Sequence, residues 1–321
     1  MLTVQQIFDL ALKMGIKADP RGPKGIKEYL DRAKKEYDDL SPKEKKFFDK
    51  DRLENPYSDS RIHIDDKKTK VNRVLAGIDI DAGEVLLASQ LGERKKEVDL
   101  IICHHPLGRS YANLHDTMDM LVDIYSDAGV PVHVAEKMME ARITEVGRGV
   151  HPINHYQIID MASLLNINLI NTHTFTDNLV REYLDNFIQK RKPKTIGDLV
   201  DVLLEIPEYE EAKKRGTGPK LFAGNPKHRL GKYIVDVTGG TSPASDMYKE
   251  ISLYGISTIV GMHMKEDARK CGDDSHMNLL MCGHIATDSL GMNIFLDELE
   301  KKGIDIIVAG GLIRVSRVKN T

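Results

Sequence analysis

The sequence predicts an α/β protein of two similar α/β halves, with a metal site in the cleft between them and a helical N-terminal extension before them. Two observations predict the fold. Apolar runs typical of buried strands alternate with segments of helical spacing, once before and once after a polar connection. Histidines and aspartates follow the ends of several of these runs, which is where binding sites lie in open α/β sheets.

The composition limits the classes of function. With 321 residues, 41% of them hydrophobic, the chain can bury a large core. A formal net charge of -3 gives no general attraction to nucleic acid or to an anionic membrane. No apolar run reaches the length of a membrane span, and the N-terminus does not read as a signal peptide. Three cysteines without CxxC spacing favour a reducing, cytoplasmic environment.

Residues 1–70 predict a helical N-terminal extension. Thr3 and Gln6 form a capping box, and Ser41 and Glu44 form a second one. Lysines in this region are interleaved with acidic residues. This mixture favours a solvated surface over a nucleic-acid patch.

The first α/β half is predicted at 71–181. Its first strand, helix and strand form a βαβ unit and indicate a parallel sheet. The predicted elements are strands at 71–81 and 98–103 around a helix at 82–91, a helix at 116–127, and strands at 130–134 and 167–171. His133 falls inside the short strand predicted at 130–134, which predicts a core or lining position.

The segment Glu136–Tyr156 predicts a loop that leads into a helix near Asn154. It contains His151 and His155 beside paired glycines. Three interpretations remain open: a plain surface connection, a substrate-facing loop, or a second metal pair at i, i+4 spacing.

Residues 182–229 predict a helical connection, and 230–321 the second half. The second half repeats the strand and helix order of residues 71–103. Its predicted elements are a strand at 233–237, a Gly-Gly loop at 238–241, a helix capped by Ser242, and strands at 256–261, 277–284 and 304–310. The Gly-Gly loop fits no nucleotide-binding fingerprint, so it is a weak anion-binding signal.

The metal hypothesis rests on residues that follow three strands. His104 and His105 end the first, Asp177 with His173 nearby follows the second, and His284 with Asp288 follows the third. Imidazole and carboxylate ligands suit Zn, Fe, Mn, Co or Ni. Five such ligands exceed what one catalytic zinc takes, which favours two divalent ions roughly 3.5–4 Å apart. Asp177 is the candidate bridge between them.

Three motifs resemble those of the Nif-three-like dinuclear metal-centre hexameric proteins, some of which are described as GTP cyclohydrolase I type 2 homologues. They are Leu100-Ile-Ile-Cys-His-His-Pro-Leu107, His173-Thr-Phe-Thr-Asp177 and Gly283-His-Ile-Ala-Thr-Asp288, in the family's order. The resemblance covers roughly residues 70–310. It implies metal ligands at His104, His105, Asp177, His284 and Asp288, and a homo-oligomer, expected to be a hexamer.

The sequence departs from this family in two respects. The family usually has a glutamate at the position of Asp288, and residues 1–70 and 136–156 are longer here than in the family's core. Some members insert a small domain between the halves, for which residues 182–229 are too short.

The functional prediction is a metal-dependent hydrolase that acts on a small molecule. The resemblance narrows this to a cyclohydrolase or amidase with a nucleotide-like or heterocyclic substrate. His173, His151 and His155 are the candidate catalytic residues for proton transfer or substrate contact. The alternative is a non-catalytic oligomeric scaffold that stores metal or binds a protein partner.

Overall fold

The computed structural model describes residues 1–318. The strands are β1 (Leu2–Thr3), β2 (Ser60–Ile64), β3 (Lys70–Val71), β4 (Arg73–Gly77), β5 (Leu100–Cys103), β6 (Asn168–Thr172), β7 (Lys220–Ala223), β8 (Lys232–Asp236), β9 (Ile256–Gly261), β10 (Asn278–Met281) and β11 (Asp305–Val308). The helices are α1 (Val4–Lys17), α2 (Gly22–Asp39), α3 (Ala82–Glu93), α4 (Gly108–Ala112), α5 (Met120–Asp127), α6 (Val132–Val150), α7 (Gln157–Leu164), α8 (His173–Arg191), α9 (Ile196–Leu203), α10 (Pro207–Lys214), α11 (Met247–Leu253), α12 (Glu266–Asp274) and α13 (His284–Glu300).

Two mixed sheets confirm the predicted fold of two similar halves. The first has the order β11-β4-β5-β6-β2 and the second has the order β7-β10-β9-β8. Three consecutive strands are parallel in each sheet, β4 to β6 and β8 to β10. In each half, a strand from earlier in the chain, β2 or β7, pairs antiparallel with the third of these parallel strands.

The boundaries between the segments differ from those predicted. β2 comes from the N-terminal extension and β7 from the connection, so neither region is purely helical. β11, predicted for the second half, pairs parallel with β4 of the first sheet. The terminal segments of the chain therefore complete the sheet of the first half.

Two helices that follow the third parallel strands pack against each other between the sheets. α8 follows β6 and α13 follows β10. Their approach is close: a Cβ added at Gly291 of α13 would lie 2.3 Å from the carbonyl oxygen of Thr176 in α8. This contact sets the N-terminal turns of both helices side by side, at the carboxyl ends of the strands.

The predicted strand at 130–134 is wrong. Its β-branched residues suggested a strand, but Val132 begins α6, with Pro131 as the preceding cap residue. Buried Ala135, Met139 and Arg142 recur at helical spacing, so packing of this face overrides the local preference. His133 is exposed on the helix rather than in the core.

Two further predictions are wrong: the loop at 136–156 and the helix that begins after Ser242. Most of 136–156 is α6 and not a loop. The helix after the Gly-Gly loop begins at Met247, and Ser242 remains in the loop. There, the carbonyl oxygen of Ser242 accepts a hydrogen bond of 3.1 Å from Nε of Arg142.

Within residues 1–318, no helix combines the length and the apolar character that a membrane crossing requires.

Candidate metal centre

The structure brings all five predicted ligands together and adds His173. His104 and His105 directly follow β5. His173 and Asp177 lie in the first turns of α8, and His284 and Asp288 occupy the same positions in α13. The i, i+4 spacing puts the imidazole and carboxylate of each helix on one face. The site therefore joins side chains from both halves.

Asp288 has the most contacts with imidazoles in this cluster. Its Oδ1 lies 3.5 Å from Nε2 of His104, and its Oδ2 lies 3.4 Å from Nε2 of both His105 and His284. Asp177 is more peripheral: its Oδ1 lies 3.5 Å from Nε2 of His104, and its Oδ2 lies 3.9 Å from Nε2 of His173. Asp288, more than Asp177, has the position of a shared ligand.

These donor atoms fit divalent metal ions. Asp288 is fully buried, and neither of its oxygens has a hydrogen-bond partner; Oδ1 of Asp177 also has none. Leaving buried charged oxygens unpartnered is costly. The donor atoms form three groups, each within 4.8 Å: His104, His105 and His173; His105, His284 and Asp288; and His104, Asp177 and Asp288. The histidine and aspartate side chains are therefore able to hold a metal ion.

Hydrogen bonds orient the histidine rings toward this cluster. The hydroxyl of Thr176 donates to the carbonyl oxygen of Thr172 (2.7 Å), so it accepts from Nδ1–H of His104 (2.9 Å). Nδ1 of His105 lies 2.6 Å from Oδ1 of Asp79, which accepts a hydrogen bond from Nδ1–H. When these rings are neutral, the lone pair is then on Nε2, the nitrogen that faces the carboxylates. Such hydrogen bonds fix the tautomer and direction of metal-binding histidines.

The electrostatics follow from burial and from the short distances between like and unlike charges. Burial, reinforced by the charges of Asp288 and Asp59, raises the pKa of Asp177 well above its usual value. Burial lowers the pKa of His104 to about 4, although Asp288 opposes this shift. Burial also disfavours the charged form of His105, but Asp288 and Asp79 outweigh it and raise its pKa to about 9. The carboxylates of Asp288 and Asp79 therefore favour a positive charge in this cluster.

A cleft opens beside the cluster. His173, Asp177 and His284 line one side of it. The rest of the lining comes from the ends of second-sheet strands, the Gly-Gly loop and Tyr248 of α11: Asp236, Val237, Thr238, Gly240, Thr241, Ser242, Tyr248, Met262 and His263. A small molecule in this cleft would reach the cluster directly.

Three residues near the cluster were not predicted from the sequence. Asp79 accepts from His105, and Asp59 lies 2.8 Å from Nδ1 of His173. The ring of His263 lies 4.7 Å from that of His284, measured between centroids. A signal existed for His263, since it is the second residue after β9, just as His105 is the second after β5. Asp79 has the same signal, since it is the second residue after β4, whereas Asp59 precedes β2 and has none.

Two predicted catalytic residues lie elsewhere. His151 is exposed at the C-terminal end of α6. The ring of His155 packs against Tyr111, with centroids 5.4 Å apart. Among the described residues 1–318, neither is part of the three donor groups or of the cleft lining. The structure does not bring these imidazoles to the cluster, and we assign them no role in the proposed reaction.

Comparison with solved structures gives fold-level similarity. The crystal structure of a NIF3 superfamily protein from Sphaerobacter thermophilus matches with a TM-score of 0.75 and 24% identity, over 97% of this chain and 99% of that chain. Reduced HcgD from Methanocaldococcus jannaschii gives 0.47 and 13%, over 77% and 87% of the two chains. A Bacillus cereus protein related to NIF3 gives 0.45 and 10%, over 100% and 99%.

No protein-family model and no curated protein matches the sequence. The first of the three structural matches covers nearly the whole of both chains with a high TM-score. This chain therefore shares the fold of that NIF3 superfamily protein, which is the fold that the resemblance of its three motifs implies.

Proposed function

We propose that each chain binds two divalent transition-metal ions. His104 and Asp177 would hold one ion, and His105 and His284 the other, with Asp288 shared between them. The contacts of Asp288 with His104, His105 and His284 support Asp288, in place of Asp177, as the ligand shared by the two ions. Its side chain is one methylene shorter than the family's glutamate, yet its oxygens reach all three imidazoles. The nitrogen and oxygen donors suit Zn, Fe, Mn, Co or Ni.

We further propose that the cleft beside this centre carries out metal-dependent hydrolysis of a small molecule. The observation that carries this proposal is the open cleft on the exposed side of a buried donor cluster. Two neighbouring ions, when bound, lower the pKa of water and polarise the group that is attacked. A closed shell of protein ligands, in contrast, would suit storage or a structural role.

The side chains of the cleft have separate tasks in this proposal. Thr176 and Asp79 keep Nε2 of His104 and His105 directed at the centre. Asp236 and the hydroxyls of Thr241 and Ser242 offer hydrogen-bonding groups to the substrate. Such groups suit a heterocyclic or amide substrate with N–H and C=O groups, as for a cyclohydrolase or amidase.

Chelation and reconstitution test the hydrolase proposal. Purified protein is screened against nucleotides, cyclic amides and phosphoesters, then treated with a chelator and reloaded with Mn, Co or Zn. We expect the chelator to abolish turnover and the added metal to restore it. We expect the His105→Ala variant to show no turnover. Turnover that survives both treatments would contradict the mechanism. Metal-loaded protein without turnover on any substrate would instead favour the oligomeric metal-binding scaffold.

We also propose a homo-oligomer, a hexamer by the family resemblance. Exposed leucines on two helices of the first half support an interface with other copies. Leu86 and Leu87 of α3 and Leu164 of α7 are 47%, 43% and 83% exposed, and the two helices pack together. Burial of such side chains between copies would be favourable.

A further inference from the structure

We propose that His173 is a sixth metal ligand and that Asp59, from the N-terminal segment, is the residue that positions it. This inference rests on the metal centre proposed above and extends it. It gives His173 a role in binding metal, where the sequence suggested proton transfer or substrate contact. It also gives the N-terminal segment a part in the centre.

The internal repeat of the fold provides the first argument. His173 begins the helix after the third parallel strand of the first sheet, and His284 begins the helix after the third parallel strand of the second. Both start the same pattern, His-x-x-Thr-Asp, which ends at Asp177 and at Asp288. His173 is thus the counterpart of a proposed ligand in position, spacing and sequence.

The orientation of the ring provides the second argument. His173 belongs to a donor group with His104 and His105, and its Nε2 lies 3.9 Å from Oδ2 of Asp177. Nδ1 points away from the cluster, 2.8 Å from Oδ2 of Asp59. His173 therefore shows the same arrangement as His104 and His105: one nitrogen held by an oxygen acceptor and the other directed at the carboxylates.

The surroundings of Asp59 make it a specific partner for His173. It is fully buried, and it accepts hydrogen bonds from the hydroxyls of Thr174 (2.7 Å) and Ser60 (3.2 Å). Among residues 1–318, Asp59 forms an ion-pair contact with His173 alone, and no lysine or arginine lies within ion-pair distance of its carboxylate. A carboxylate that accepts from Nδ1–H makes Nε2 a better metal ligand.

The N-terminal segment is anchored at this point. The carbonyl oxygen of Asp59 accepts a 2.6 Å hydrogen bond from the side-chain amide of Asn171 in β6. β2, which follows Asp59 directly, pairs with β6. Asp59 is therefore held in register with the strand that leads to His173.

Cobalt titration of metal-free protein tests the inference. Co²⁺ alone is added to wild type, His173→Ala, Asp59→Asn and Asp66→Asn, and visible absorption and bound metal are measured. Asp66→Asn is the matched control, since it removes an exposed carboxylate of the same segment. We expect Asp59→Asn to weaken one of the two Co²⁺ ions about 10–100-fold, His173→Ala to weaken it further, and Asp66→Asn to match wild type.

The outcomes separate this inference from the metal centre itself. Wild type that takes up no Co²⁺ would refute both. Two ions bound by His173→Ala with the affinity and spectrum of wild type would refute the sixth ligand and leave the centre intact. If His173→Ala does not fold, nitrogen NMR of the Zn-loaded wild type decides: a metal-bound Nε2 on His173 supports the inference, and a free one refutes it.

Discussion

Nε2 of His104 lies 3.5 Å from Oδ1 of Asp288, although the two side chains follow strands of different sheets. His104 is held by Thr176 of α8, and Asp288 projects from α13. The contact exists because α8 and α13 pack closely between the sheets. The metal centre is thus a property of the joined halves and of neither half alone.

Thr176 should control metal affinity through the tautomer of His104. Thr176→Val removes the acceptor for Nδ1–H of a ring that is 1% exposed, so the proton is no longer fixed on that nitrogen. We expect a loss of metal affinity of about 10–100-fold, measured by competition with a chromophoric chelator. Thr176→Ser keeps the hydroxyl and is the matched control. Equal affinity of the valine and serine variants would contradict this role.

Asp177→Asn should stabilise the metal-free protein and prevent its stabilisation by metal. The carboxylate of Asp177 is buried, Oδ1 has no hydrogen-bond partner, and its ion-pair contacts are histidines. Because burial opposes ionisation of this carboxyl group and raises its pKa, replacing it with a neutral amide should raise the free energy of unfolding in a chelator by about 1–3 kcal/mol. Urea unfolding with and without metal measures both effects.

Glu182→Gln on the exposed face of the same helix is the control for that comparison. It should leave both free energies of unfolding close to those of wild type. A metal-free Asp177→Asn that is less stable than wild type, yet gains the usual stability from metal, would contradict the prediction.

Asp236 should make stability fall as the pH rises. Burial raises its pKa to about 6, against hydrogen bonds from Tyr125 and Tyr248. The unfolded carboxyl titrates near its usual value, so between about pH 4 and 6 the folded protein binds more protons. Its contribution is complete below about pH 4 and is lost as the pH rises through about 6.

Asp236→Asn should remove this dependence. The difference in the free energy of unfolding between the variant and wild type should grow in the variant's favour between about pH 4 and 6, by at most about 3 kcal/mol. Above that range this difference should stay constant. Urea unfolding of metal-free protein at several pH values measures the gain, and Asp267→Asn, at an exposed site, is the control. A difference that is constant with pH would contradict the shifted pKa.

The exposed leucines should control assembly. Leu87→Glu combined with Leu164→Glu places charge at exposed positions of α3 and α7 and should reduce the mass measured by light scattering. Leu253→Glu changes a leucine that is 68% exposed on α11 of the other half and should leave the mass unchanged. A wild-type monomer at all concentrations would contradict the proposed oligomer.

The sequence predicted the cluster because its residues follow strand ends. His104, His105 and His284 come directly after apolar runs, and parallel strands bring their ends to one edge. Asp79 follows β4 in the same way, whereas the link of Asp59 to His173 depends on long-range packing that no local pattern encodes. The same holds for β11, whose apolar run predicts a strand but not the sheet it joins, and for α6, where packing overrode strand-forming residues.

The metal content of freshly purified protein tests the central claim most directly. Elemental analysis of wild type, Asp288→Ala and an exposed control, Asp160→Asn, is compared per chain. Because Asp288 is shared between the proposed ions, we expect about two equivalents in wild type and control, and loss of both in Asp288→Ala. Wild type free of metal that also rejects added Mn, Fe, Co, Ni and Zn, or Asp288→Ala with full metal content, would contradict the account.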